Sequence, residues 1–208
     1  MGHPSPPELL VLHGVRVAGF VDTEVLAMRL MLAPELVDEL LLDAQARGWI
    51  TRHSFADTTG WAVTDAGRAH DEAALAAELD AHGIRPLAEQ THLRFLPLNA
   101  RFLTAMTDWQ LRPQPWDRLA ANDHTDWRWD ERVLRSLGHI GARLGELMQP
   151  LEDALPRFQG YAVRYRFALG RVERGERDWV DGVGRDSCHA VWMQLHEDLI
   201  ATLGIDRS

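Results

Sequence analysis

Only once along this chain does the helical spacing of apolar residues give way to a strand–turn–strand pattern. Trp49-Ile50-Thr51-Arg52-His53 and Trp61-Ala62-Val63 read as two short strands, with Asp57-Thr58-Thr59-Gly60 as the turn between them. On either side, apolar residues recur three and four positions apart. That confines the chain to the mainly-α class with one two-stranded β-wing, and the question becomes what the helices before and after the hairpin do.

Before it, Glu8 to Phe20 forms a first helix with Leu9, Leu10, Leu12 and Val15 on its apolar side. Asp22 is placed to cap a second helix that runs to about Leu32. Ala33-Pro34 breaks the pattern, and Pro34 with Glu35 suits the first turn of a third helix. Leu36, Val37, Leu40, Leu41 and Ala44 keep the helical period until Gly48 ends it. After the hairpin, Thr64 caps another helix.

This order, in the residues EVLAMRLMLAPELVDELLLDAQARGWITRH followed by GWAVTDAGRAHDE, resembles the winged helix-turn-helix of MarR-type bacterial transcriptional regulators. The most specific pieces are the exit from the third helix, ending Arg47-Gly48-Trp49-Ile50, and the entry after the wing, Trp61-x-Val63-Thr64-Asp65-Ala66-Gly67-Arg68. The likeness covers residues 20–75. It implies a DNA-binding domain over residues 1–80 in which the third helix enters the major groove of double-stranded DNA and a homodimer reads two half-sites.

The charge pattern opposes that implication. All 22 basic residues are arginine, and the net charge is −9. Residues 1–80 hold five arginines against thirteen carboxylates, a balance of −8. On the third helix the polar positions are Glu35, Asp38, Glu39 and Asp43, where a polyanion calls for cations and hydrogen-bond donors. The available contacts are Arg29, Arg47, Arg52 and His53. A competing reading follows: a winged helix whose acidic third helix docks a protein partner instead of DNA.

From about Ile84 the chain reads as four or five helices, an all-α bundle over residues 81–208 for ligand binding and dimerisation. The first runs from Pro86 to Leu111, with Phe95, Leu98, Phe102, Met106 and Trp109 on one face. A Pro- and Trp-rich connection from Arg112 to Trp127 leads to helices at about 128–148, 150–174 and 177–203, the last with a possible break at Gly182-Val183-Gly184.

Aromatic walls with a few converging polar groups are typical of small-molecule pockets. Asn99, Trp109, His124, Trp127, His189, Trp192 and His196 are the candidate lining for an effector pocket. Each has a plainer alternative. Asn99, two residues beyond Pro97, equally suits an amide bridging a helix kink. His189 and His196 share a helix face as core histidines would, and at seven residues apart, roughly 10 Å, they cannot chelate one ion together. No metal or cofactor site is expected. Asp123, His124 and Asp126 have no accompanying nucleophile motif or phosphate loop, so no catalytic residue is assigned. Cys188 is the only cysteine and reads as buried and inert. The arginines between 157 and 177 read as a solvated face or as a surface for an acidic ligand or a second subunit.

The opening Met-Gly-His-Pro-Ser-Pro-Pro has no basic n-region or apolar core and reads as a frayed tail. No apolar run approaches the roughly 20 residues of a membrane span. The expectation is a cytoplasmic regulator in which a small molecule, held by the helical bundle, shifts the spacing of two winged helices and so their affinity for DNA.

Overall fold

The computed structural model describes residues 2–55 and 58–205. Among them the chain is mostly helical, with one two-stranded antiparallel sheet. The elements are α1 (Pro7–Ala18), α2 (Thr23–Leu30), α3 (Pro34–Ala46), β1 (Ile50–Phe55), β2 (Thr58–Val63), α4 (Asp65–His82), α5 (Arg85–Gln110), α6 (Trp127–Ala154), α7 (Tyr161–Glu173) and α8 (Cys188–Leu203). Single 3₁₀ turns lie at Pro156–Phe158 and Arg177–Trp179. No described helix is long and apolar enough to cross a membrane.

The helix boundaries have local causes. The Asp22 carboxylate accepts from the Val25 amide at 2.8 Å and starts α2. Pro34 opens α3, where its missing N–H leaves no bond unmade. At the end of α2, Met31 takes the left-handed conformation (φ 54°) that turns the chain toward α3. Thr64 accepts from the Gly67 amide at 3.0 Å while its own hydroxyl donates to the Gly48 carbonyl at 2.7 Å. Gly67 is required there, because a Cβ would stand 2.0 Å from the Trp49 carbonyl oxygen.

Two compact units emerge. The first comprises residues 1–88, 154–157 and 194–208; the second comprises 89–153 and 158–193. The division suggested by chain order, at residue 80, therefore differs from the division by contacts: the end of α8 belongs with the N-terminal segment.

In the first unit, Val11, Leu12 and Val15 of α1 pack with Leu26 of α2, Val37 and Leu41 of α3, Ile50 of β1 and Trp61 of β2. Trp61 is almost wholly buried and donates through Nε1 to the Thr23 hydroxyl at 3.1 Å. Truncating such a residue costs about 3–5 kcal/mol. The hairpin pairs Ile50 with Val63 and Arg52 with Trp61. Val21 and Trp61 exchange backbone bonds of 3.2 and 2.8 Å, so α1, α2 and the hairpin share one core.

In the second unit Phe95, Phe102 and Trp109 of α5 are buried, as are Leu137 and Leu144 of α6 and Tyr165 of α7. The Tyr165 hydroxyl donates to the Leu137 carbonyl at 3.2 Å. Gly141 gives the ring its space, since a Cβ there would lie 2.8 Å from it.

Several boundaries depart from the sequence reading. The opening segment is not frayed: the His3 amide donates to the Ala154 carbonyl at 2.8 Å, the His3 ring stacks on His82 at 4.0 Å, and Ser5 is buried. Thr58–Gly60, read as part of a turn, belong to β2, and Asp57 lies outside the described residues. Helix α6 continues through Pro150 to Ala154, because Leu147, Met148 and Leu151 are buried on either side of the ring. Helix α8 begins at Cys188, not near Asp178; the 3₁₀ turn and the bond from the Gly182 amide to the Asp178 carbonyl (2.8 Å) close that segment into turns first.

Candidate functional site

In the first unit α3 presents Glu35, Asp38, Glu39 and Asp43 to solvent. Exposed apolar side chains accompany them: Met28 (75% exposed), Met31 (87%), Val25 and Leu36. The candidate DNA contacts are distributed around this face. Arg29 is half-buried, with NH1 3.5 Å from the Gln194 side-chain oxygen. Arg47, at the end of α3, stacks over Trp49 at 4.9 Å, and Arg52 of β1 lies 5.4 Å from the Trp61 ring centre. His53 is exposed and its Nε2 is 2.7 Å from the Thr51 hydroxyl. Stacking engages the flat faces of the two guanidiniums and leaves their N–H edges available to an acceptor.

The candidate pocket residues fall into separate groups. Trp192 is fully buried, stacks on Phe102 at 4.5 Å and Phe95 at 4.9 Å, and donates to Asn99 Oδ1 at 2.8 Å. His189 stacks more loosely on Phe102 at 6.3 Å. This group is a filled interior.

A second group surrounds Asn122. Its side-chain amide donates to the Trp109 carbonyl at 3.0 Å and to Asp130 Oδ1 at 2.9 Å, and its Oδ1 accepts from the His124 amide at 3.1 Å. His124 Nδ1 lies 3.0 Å from the Asp130 carboxylate, and its ring tilts over Trp109 at 4.3 Å. His124 sits at φ 58°, a left-handed conformation held by these contacts. Trp127 is 64% exposed and stands apart, with Arg128 over its ring at 5.3 Å. His196 belongs to the first unit. Among the described residues no cluster of three or more His, Cys, Asp or Glu is placed to hold a metal ion.

The densest cluster of titratable groups was not singled out in the sequence. His13 of α1 is buried between two buried carboxylates, Asp71 of α4 (Nδ1 to Oδ2, 3.1 Å) and Asp198 of α8 (Nε2 to Oδ1, 3.0 Å). Arg157 donates to Asp198 at 2.6 Å, to Glu78 at 2.9 Å and to the Thr202 hydroxyl at 2.8 Å. Arg16 reaches Asp71 at 3.3 Å, Glu72 at 2.7 Å and Glu197 at 3.0 Å. Burial alone opposes a charge on His13, yet attraction from Asp71 and Asp198 and their hydrogen bonds outweigh it and raise its pKa to about 9.

This network can hold helices together and bind a proton. In the second unit burial pushes the Cys188 thiol up to about 12, which leaves it uncharged and unreactive at neutral pH.

Residues that sequence reasoning passed over had one shared signal. Leu9, Leu12, His13 and Arg16 lie on one helical stripe, each three or four residues from another member, as do Asp71, Leu75, Glu78 and Leu79, and Leu195, Asp198, Leu199 and Thr202. Ionisable residues in phase with an apolar stripe require buried partners.

No protein-family model, no curated protein and no solved structure matches this chain.

Proposed function

We propose that the chain is a ligand-responsive transcriptional regulator, acting as a homodimer. In this reading α1–α4 with the β1–β2 hairpin are a winged helix-turn-helix, and the second unit carries the effector site. The observation that supports it most directly is a helix, α3, exposed along its outer side while Val37, Leu41 and Ala44 anchor its inner side to α1, α2 and the hairpin. Phosphate contacts then come from Arg47, Arg52 and His53 at the end of α3 and on the first strand, since the first turns of α3 carry only carboxylates.

A second reading has its own observation. The carboxylates of α3 occur with exposed Leu36 on the same helix and exposed Met28 and Met31 on and just after α2, a mixture that suits a basic, amphipathic protein segment better than a phosphate backbone. In that case the module is an adaptor.

One titration separates them. The purified protein is mixed with the DNA upstream of its own gene as salt rises from roughly 50 to 200 mM. A regulator loses affinity by orders of magnitude over that range. Asp38→Ala with Glu39→Ala then strengthens DNA binding, because those carboxylates only repel phosphate. No binding at the lowest salt sinks the first reading. An Arg-Leu amphipathic peptide that binds the native protein, and binds this double variant less well, establishes the second.

A further inference from the structure

An open cleft of about 300 Å³ runs between α5 and α6 in the second unit. It contains none of the seven residues that the sequence nominated for a pocket. Its floor is apolar, made by buried Ala105 and Val133. Arg101 stands on the α5 side; Arg132 and Ser136, one turn apart, stand on the α6 side.

The charges here are unspent. Among the described residues, Arg101 and Arg132 have no carboxylate partner, and the half-buried Ser136 hydroxyl has no hydrogen-bond partner. Arg132 is nevertheless positioned, with its guanidinium 4.6 Å from the Trp129 ring centre. Trp129 is fixed in turn by a bond of 2.6 Å from Nε1 to the Asp108 carbonyl. Stacking holds the guanidinium plane and leaves its N–H edge for an anion. Asp108 also lines the cleft, and among the described residues its carboxylate has no ion-pair partner.

We infer that this cleft binds a small hydroxylated phosphomonoester, the phosphate between Arg101, Arg132 and Ser136 and a ligand hydroxyl on Asp108. Phosphate fits these donors better than carboxylate does. A planar carboxylate offers one edge to one guanidinium, whereas a tetrahedral phosphate presents three oxygens and can accept from two guanidiniums on different helices and a hydroxyl at once. The volume lies at the small end of ligand sites, which limits the ligand to about the size of a sugar phosphate. That this ligand is the effector rests on the regulator reading; that it binds does not.

The test uses the full chain without DNA, at constant ionic strength, by calorimetric titration with ribose 5-phosphate, inorganic phosphate and ribose. Ribose 5-phosphate is expected to bind, phosphate to bind more weakly, and ribose not at all. Arg101→Gln and Arg132→Gln each weaken ribose 5-phosphate about tenfold or more, the loss of one charge-assisted contact. Asp108→Asn weakens ribose 5-phosphate and does not weaken inorganic phosphate. All three side chains lie at the surface or half-buried, so unchanged melting temperatures separate lost binding from lost fold. No heat with either phosphate at millimolar concentration overturns the inference, as does binding that survives both arginine substitutions. A chain that binds ribose 5-phosphate but not DNA refutes the regulator and leaves this site standing.

Discussion

In the first unit His13, Arg16 and Arg157 meet Asp71, Glu78 and Asp198 where water is excluded. In the second, Phe95, Phe102 and Trp192 stack on one another, and one indole N–H leaves the stack to reach Asn99. The two interiors specify their packing by different means. Stacked rings gain from area and tolerate small changes of shape. Buried charges tolerate almost none, because each is stable only while its partner is present. Even intact, the ionic interior is incompletely satisfied: Asp71 Oδ1 and Glu78 Oε1 have no hydrogen-bond partner among the described residues.

Removing one guanidinium breaks the comparison hardest. In Arg157→Ala, Glu78 is left as a buried carboxylate without its cation and Asp198 keeps only His13, and the first unit loses about 3–5 kcal/mol. Hydrogen exchange at the amides of α1 and α4 reads this loss, and unchanged protection would show that the ionic lock contributes little. Next in size is pH. His13 is held at a pKa of about 9 against an ordinary 6.5, so it binds its proton more tightly folded than unfolded. Its contribution is complete below pH 6.5 and is lost as the pH rises to about 9, on the order of a few kcal/mol in urea titrations. His13→Gln lowers stability at pH 6 and flattens that limb; an unchanged slope would remove His13 as its cause.

Smaller changes sharpen the contrast from the aromatic side. Trp192→Phe keeps the stack but strands the Asn99 oxygen, at about 1–3 kcal/mol. Adding Asn99→Leu returns part of that stability, whereas no second substitution of comparable simplicity restores the ionic network. Finest of all is a matched pair at left-handed backbone positions, Met31 (φ 54°) and His124 (φ 58°). Met31 is exposed, so Met31→Gly relieves backbone strain and stabilises by about 0.5–1 kcal/mol. His124→Gly relieves the same strain but loses the Asp130 contact and destabilises. Equal effects at the two sites would show that the Asp130 contact adds nothing.

Local structure was readable where single residues carry it. Asp22, Pro34 and Thr64 act at helix starts as their chemistry dictates, and the short runs at Ile50 and Trp61 marked the hairpin. The burial of Cys188 agrees with its sequence reading. What periodicity could not express was pairing at a distance. Asp198 looks like one polar residue on a late helix until His13 is placed against it, 185 positions away. For the same reason nothing in the spacing links Arg101 with Arg132, although the two helices bring them to one cleft.

The ionic lock also imposes an order on biosynthesis. Asp71 leaves the ribosome long before Arg157 and Asp198, yet His13 needs both carboxylates. At about 5–20 residues per second, the 185 positions from His13 to Asp198 correspond to roughly 10–40 s of translation. Through that interval the nascent chain holds half of a charge network, with Asp71 present for His13 and Asp198 still to come. The segment that carries His13 is made well before the residue that completes its ion pairs.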